Sequence, residues 1–271
     1  MPELPEVEIT CMGLQPILKK SIKDIIVRNP SLRWPVPSHL KRTLPNQKIL
    51  NIKRRAKYIL IQFESGHLMI HLGMSGRLEI LRKDVSPHKH DHVDIQFHNT
   101  KNILRYTDPR RFGSILWVES DINEHFLISK LGPEPLEKLF TEKYLFLKIQ
   151  NKKTTIKNII MDSHIVVGVG NIYASESLFK AGVLPSRLAQ DVTLNECKKI
   201  VKYIKDTLNK AIELGGSSLR DFYNVNGQSG YFQQTYAVYG RKGKACRKCR
   251  STIESVIIAQ RSSFFCPKCQ T

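Results

Sequence analysis

The chain is 271 residues long, 41% hydrophobic, and carries 43 Lys and Arg against 24 Asp and Glu; that is length enough for two domains and apolar content enough for a sizeable core. Intrinsic disorder and a disulfide-held miniprotein are both excluded. A formal charge of +19, with an isoelectric point near 9.7, points to a polyanionic partner, with nucleic acid the first candidate.

No window approaches the roughly 18 consecutive apolar residues that a membrane span requires. The opening Met1-Pro-Glu-Leu-Pro-Glu6 has neither a basic leader nor an apolar signal core, so a soluble cytoplasmic protein with no membrane partner is expected. Pro5 suits the first turn of a helix, predicted to run from about Pro5 to Lys19. From Ile22 to about Trp117 the chain becomes a series of short apolar runs, at 22–27, 58–63, 67–72, 93–97, 103–106 and 114–118. With polar and Gly/Pro punctuation between them, these read as a β-sandwich or flattened barrel of about eight strands.

Lys130-Leu-Gly-Pro-Glu-Pro-Leu136 marks a linker, and beyond it the periodicity turns helical. The clearest helix is predicted to start at Thr193, where Glu196 completes a capping box. It buries Cys197, Ile200, Val201, Ile204, Leu208 and Ile212 at 3/4 spacing before stopping at Gly215-Gly216. The polar stretch from Gly215 to Gly240, with Asn224-Val-Asn-Gly-Gln-Ser-Gly230 inside it, is long for an ordinary connection and reads as a lid or a disordered loop.

Four of the six cysteines form two pairs, Cys246-x2-Cys249 and Cys266-x2-Cys269, separated by sixteen residues. Two such knuckles close a tetrahedron of thiolates around zinc, and four protein ligands leave no position for water, so the metal is read as structural. Residues 252–258 and 262–265 suit a hairpin too small to fold without metal, whose binding contributes about 10–16 kcal/mol in zinc-finger peptides. From Ala237 to Thr271 eight Lys and Arg face a single acid, Glu254, and a hairpin of that charge displaying Arg261 is placed to touch phosphates or enter a groove. The expected cofactor is one structural Zn2+, with no organic cofactor.

Loss of Met1 ahead of the small residue Pro2 would expose a secondary amine beside Glu3 and near Glu6. An α-amino group titrates near pH 7.7–8.0, so roughly a third is an unprotonated nucleophile at pH 7.5, whereas an ordinary lysine is almost wholly protonated. Attack of such an amine on a sugar C1′ yields, after ring opening, an iminium that cannot lose its charge by N-deprotonation, and hence a lasting electron sink. Taken alone, Pro2 reads as a turn residue and the two acids as partners for a helix N-terminus.

The wider sequence changes that balance. Met1-Pro-Glu-Leu-Pro-Glu-Val-Glu8, Arg54-Arg-Ala-Lys-Tyr58, His71-Leu-Gly-Met-Ser-Gly76, Lys89-His-Asp-His92, Tyr106-Thr-Asp-Pro-Arg-Arg-Phe-Gly113, Val167-Gly-Val-Gly-Asn-Ile-Tyr-Ala-Ser-Glu176 and the four-cysteine finger with Ala259-Gln-Arg261 together resemble the bacterial formamidopyrimidine-DNA glycosylases, from one end of the chain to the other. The resemblance implies an α+β fold. An N-terminal catalytic β-sandwich with flanking helices would occupy 1–130, a helix-two-turns-helix DNA-binding domain with a lesion-capping loop 136–236, and a zinc-finger hairpin 237–271.

The same resemblance implies an activity: excision of oxidised purines from duplex DNA through a proline Schiff base, followed by β- and δ-elimination, by a monomer acting on lesion-bearing or abasic DNA. Pro2 matches the nucleophile and Glu3 the acid that protonates the opening sugar. Lys57 matches the lysine assigned to β-elimination and equally suits holding the phosphate that flanks the lesion, and Arg261 matches the finger arginine assigned to δ-elimination. A guanidinium is a poor proton donor, so Arg261 suits phosphate binding better. Met74, Arg110 and Phe112 match residues that fill the space left by an everted nucleotide; His90, Lys152 and Asn171 match further DNA contacts. The Gly216 to Gln234 stretch corresponds to the capping loop. Two other readings share features with this one: endonuclease VIII, the sister enzyme for oxidised pyrimidines, and a non-catalytic zinc-finger DNA-binding protein. Arg110-Arg-Phe112 and the Glu3-Leu4-Pro5 opening argue against the first, and the N-terminal proline against the second.

Overall fold

A computed structural model of the protein describes residues 2–217 and 231–271. The chain divides into two compact units, one comprising residues up to Ser129 together with the segment that begins at Gly215, the other Lys130–Leu214 with Tyr231–Thr271. Most of the expected capping loop, from 218 to 230, lies outside the described residues.

The first unit is an antiparallel β-sandwich. One sheet orders β1 (Ile22–Val27), β6 (Asp91–Phe97), β7 (Asn102–Thr107) and β5 (Arg77–Arg82); the other orders β2 (Asn51–Arg55), β3 (Tyr58–Gln62), β4 (His67–His71) and β8 (Ser114–Val118). Alternate residues of both sheets, among them Ile25, Ile95, Leu104, Ile59 and Ile70, meet in a core that also takes Val7, Cys11 and Leu14, as facing sheets require. The last three come from helix α1 (Leu4–Gly13) and its C-cap, with Glu3 at the N-cap and Pro5 in the first turn. This helix is shorter than the expected 5–19, because Pro16 lacks the N–H that a continued helix needs and disfavours helical geometry at Gln15. A short 3-10 turn, Gln15–Ile17, follows instead.

The face of β6 and β7 turned away from that core is polar and still buried. Arg105 donates from Nε to Asp94 Oδ1 (2.8 Å) and from Nη2 to Asp94 Oδ2 (2.8 Å), while Arg28 reaches the same carboxylate. Arg105 also donates to the carbonyls of Val85 and Ser86, so the segment after β5 folds over this face. Burial works against the Asp94 charge, but the hydrogen bonds and charges of Arg105 and Arg28 outweigh it and hold the carboxyl below its ordinary range.

The second unit is helical, with α3 (Glu142–Ile149), α4 (Ile156–Met161), α5 (Asn171–Ala181) and α6 (Leu194–Glu213), closing on the hairpin β9 (Glu254–Ile258) and β10 (Arg261–Phe265). The Thr193–Glu196 capping box forms as expected. Cys197, Ile200, Val201, Ile204 and Leu208 are buried, but Ile212 is half-exposed and Ala211 takes the last core position: the 3.6-residue period drifts from a strict 4-residue step over five turns. No helix of the described residues is long and apolar enough to cross a membrane.

Arg105→Leu should leave the buried Asp94 and Asp91 carboxylates short of a cation and cost about 3–5 kcal/mol in urea unfolding. Because the folded-state pKa of Asp94 is depressed, the wild-type contribution is complete above the unfolded value near pH 4 and disappears as the pH falls through the folded one. The variant should lack that acid-dependent increment.

Candidate functional site

The N-terminal segment is held by one buried carboxylate. Glu6 Oε2 accepts the backbone N–H of Glu3 at 2.8 Å, and its Oε1 accepts that of Ser217 at 2.8 Å. Pro2, Glu3 and Glu6 are all buried. Gly216 has φ +81°, and a Cβ there would lie 3.1 Å from Ile9 Cδ1 and 3.2 Å from Glu6 Oε1. The chain entering the expected capping loop is therefore pressed against the helix that follows Pro2.

Lys57 is the second residue of the tight turn between β2 and β3, after Ala56 at φ +54°. Arg54 steadies that turn, donating to the Ala56 carbonyl (2.9 Å) and to Glu8 of α1 (2.6 Å). Tyr58 pairs with His71, and His71 with Ser114, so the Lys57 turn, the turn carrying Met74 and the stretch ending at Gly113 all emerge at one end of that sheet. In the other sheet Asp91 and Arg77 both pair with Thr107, which brings His90 and Asp108 to its corresponding end. Contact between Ser75 and Asp108 (2.7 Å) joins the two ends.

The side chains presented there suit a duplex. Met74 is 38% and Phe112 48% exposed, and the Arg110 guanidinium lies 4.8 Å from the Phe112 ring centroid. His90 sits half-exposed on a turn closed by Asp91, whose Oδ2 accepts His88 N at 2.8 Å. His71, to which the sequence assigned no role, accepts Gly73 N on Nδ1 at 3.0 Å. Burial, reinforced by the charges of Lys57 and Arg33, pushes its pKa down to about 4, so it is a neutral acceptor that fixes the Met74 turn.

In the second unit Asn171 is the first residue of α5, after Gly170 at the N-cap. Its side chain is committed within the protein: Lys157 Nζ donates to its Oδ1 (2.5 Å) and to Ser263 Oγ (2.6 Å), and Asn171 Nδ2 donates to the Ser262 carbonyl (3.0 Å). Lys157, fully buried, thus fastens α4, α5 and the hairpin together. No sequence signal marked it, since a lysine in an apolar run reads as solvated. Glu176, also buried, accepts the N–H groups of Ala237, Val238 and Tyr239 at 2.8–2.9 Å and sets the course of the chain into the finger. Lys152 is exposed after the α3 end, and Arg261 is exposed where β10 begins. The turn before it, Ala259-Gln260, holds both residues at positive φ, a geometry usually given to Asn-Gly that costs of order 1–3 kcal/mol for each other residue.

The Sγ atoms of Cys246, Cys249, Cys266 and Cys269 lie within 4.8 Å of one another, with separations of 4.0 Å for Cys246–Cys269 and 3.4 Å for Cys249–Cys266. Zn–S bonds of about 2.3 Å in a tetrahedron imply S–S edges near 3.8 Å, so the four thiolates fit one structural Zn2+. Cys11 and Cys197 are different: burial pushes both thiols up to about 12, which leaves them inert. Cys249→Ala should release the metal to a colorimetric chelator and weaken DNA binding. A metal-free variant that binds DNA normally would show the finger to be dispensable.

Family models match the chain over most of its length: the formamidopyrimidine-DNA glycosylase N-terminal domain at residues 1–115, the formamidopyrimidine-DNA glycosylase H2TH domain at 131–223, and a zinc finger found in FPG and IleRS at 243–271. The formamidopyrimidine-DNA glycosylase of Methylobacillus flagellatus is 50% identical over 100% of this chain and 96% of its own. Among solved structures, a mutant FPG of Lactococcus lactis in complex with Fapy-dG-containing DNA superposes with a TM-score of 0.93 at 33% identity, covering 100% of both chains. Lactococcus lactis Fpg bound to abasic-site DNA gives 0.92 at 33% identity over 99% of each. With the sandwich, the helical unit and the four-thiolate hairpin all in place, the chain belongs to the formamidopyrimidine-DNA glycosylase family.

Proposed function

We propose that the protein is a base-excision repair enzyme, a monomeric DNA glycosylase and AP lyase that removes oxidised purines from duplex DNA in the cytoplasm, at the nucleoid. The observation that carries this reading is the gathering, at one end of the sandwich, of the turn bearing Lys57 and two turns presenting Met74, Arg110 and Phe112, with Arg54 tying that end to the helix that follows Pro2. Its relatives with solved structures hold Fapy-dG and abasic-site DNA, which matches this substrate class.

A damaged base inside a duplex is out of reach of a protein nucleophile, so the nucleotide must be everted at a cost of a few kcal/mol. Phe112 wedges the stack, Met74 occupies the vacated space and Arg110 hydrogen-bonds the orphaned cytosine. With Met1 removed, the Pro2 nitrogen lone pair attacks C1′ and the base departs with the electrons of the glycosidic bond. The nitrogen then gives up its N–H proton, which the departed base can take, the C1′–O4′ bond breaks as Glu3 delivers a proton to O4′, and the freed lone pair closes the C1′=N bond of an iminium. That positive charge acidifies C2′, so loss of its proton expels the 3′ phosphate; a second elimination expels the 5′ phosphate, and hydrolysis of the iminium returns Pro2. Each proton transfer needs a carboxyl that is protonated for part of the cycle, the role given to Glu3. Lys57, His90, Lys152 and Arg261 hold the phosphates, the last through charge-assisted guanidinium contacts, and Asn171 adds its backbone N–H at the N-terminus of α5, its side chain being engaged within the protein. Zinc supplies no chemistry to these steps; it holds the hairpin that carries Arg261.

The test is borohydride trapping of the Met1-processed protein on a duplex with one 8-oxoguanine opposite cytosine, beside undamaged and oxidised-pyrimidine duplexes. A lesion-dependent adduct at Pro2 is expected. Pro2→Gly should reduce it strongly, an N-terminal extension should abolish it, and both should leave lesion binding measurable. Stronger trapping on the pyrimidine duplex would move the assignment to the sister activity, and unchanged trapping by the extended protein would remove Pro2 as nucleophile. Binding should also weaken with salt along a linear log–log slope; a flat response would overturn the phosphate contacts.

A further inference from the structure

Asp108 is fully buried and none of the family steps above uses it. Its carboxylate receives four donors. Oδ1 accepts Ser75 Oγ at 2.7 Å and the backbone N–H of Arg110 at 3.3 Å; Oδ2 accepts the backbone N–H of Gly113 at 2.9 Å and Tyr106 OH at 3.2 Å. Its main chain is equally engaged, with its N–H donated to the His90 carbonyl at 3.0 Å and its own carbonyl accepting His92 Nε2 at 2.8 Å. Three segments therefore converge on one residue: the turn with Met74, the turn with His90, and the Arg110–Phe112 stretch.

These segments also touch directly. A Cβ on Gly73 would lie 2.4 Å from Gly113 N, and one on Gly113 would lie 1.9 Å from Tyr106 OH and 2.5 Å from the His71 carbonyl, so the backbones are in contact with no room for adjustment. Arg111, at φ +57°, is held in the left-handed region between the two exposed residues Arg110 and Phe112.

We propose that Asp108 is the positioning residue for lesion extrusion: its carboxylate locks the Met74 turn to the Arg110–Phe112 turn, so that the three side chains enter the duplex as one preset unit. This rests on the reading that those three fill the space left by the everted nucleotide. A carboxylate is required because each oxygen carries one backbone N–H, and a backbone donor cannot reverse its direction as a hydroxyl can. In Asp108→Asn, whichever way the amide is placed, either Gly113 N or Arg110 N faces an NH2 group. The side chain keeps its shape while the Arg110–Phe112 turn loses one of its two backbone anchors on Asp108.

The measurement is single-turnover excision from an 8-oxoguanine duplex, set against cleavage of a single-stranded abasic oligonucleotide, where there is no stack to fill. Asp108→Asn should slow duplex excision by roughly 10²-fold, the scale of an ångström-sized misplacement, and leave single-strand cleavage unchanged. Combined with Phe112→Ala, its effect should be less than additive, since it acts through Phe112 and its neighbours. Ser75→Ala, which removes the hydroxyl shared by Asp108 and Arg110 N (3.1 Å), should give the same pattern with smaller amplitude and serves if Asp108→Asn does not fold. Equal losses on both substrates, or strict additivity with Phe112→Ala, would overturn the proposal while leaving the void-filling reading intact. Normal duplex excision by Phe112→Ala would instead defeat the void-filling reading, and the proposal with it.

Discussion

Glu6, Asp108 and Glu176 are buried carboxylates, and each turns both oxygens onto backbone N–H groups of a segment that carries or adjoins candidate functional residues. An ionised carboxylate taken out of water costs several kcal/mol unless its lone pairs are filled. Hydrogen bonds to a charged group return about 1.5–3 kcal/mol each, so two or three backbone donors suffice to hold it there. The donors are main-chain groups, and what becomes fixed is therefore the path of a loop.

The same arrangement shapes the field outside. Among the described residues seven acids are buried, Glu3, Glu6, Asp91, Asp94, Asp108, Glu134 and Glu176, against two bases, Arg105 and Lys157. Acids are withdrawn from the surface in greater proportion than lysines and arginines, so the exposed side chains that DNA meets are weighted further toward Lys and Arg than the chain as a whole. Affinity for the phosphate backbone and rigidity of the loops thus share one cause. Internal acids stabilise the turns and leave the surface with fewer acids to offset its lysines and arginines.

How legible this was in the sequence depended on whether a feature is local. The α6 capping box, the finger spacing and six of the strands announce themselves within a few residues. The two strands that produced no apolar run, β2 (Asn-Ile-Lys-Arg-Arg) and β5 (Arg-Leu-Glu-Ile-Leu-Arg), stand at the edges of their sheets, where charge protects the unpaired side from another chain. The turn at Ala259-Gln260 carries neither Gly nor Asn, so nothing in its composition forecast two positive φ values. At the site, Pro2, Lys57 and Phe112 stood out through resemblance to a family, since each alone reads as an ordinary turn, surface or core residue. Asp108, Lys157 and Glu176 could not stand out at all, because their meaning lies in partners 33, 106 and 61 to 63 residues away.

That difference follows from what the proposed extrusion of a damaged nucleotide demands. The groups that meet DNA must be exposed, and exposed groups on short motifs are what a sequence displays. Met74 and Phe112 would be poor wedges on mobile loops, because the entropy lost on ordering them would be charged against every encounter with DNA. Setting them beforehand moves that cost into folding, where buried carboxylates and close glycine contacts can offset it. A pair of turns already in register can press on each base pair it passes, and the pair that yields is the one whose stacking and pairing are weakest. With Met74 and Phe112 in the roles proposed for them, selectivity for a damaged base begins with a rigid backbone, before any atom of the lesion is touched.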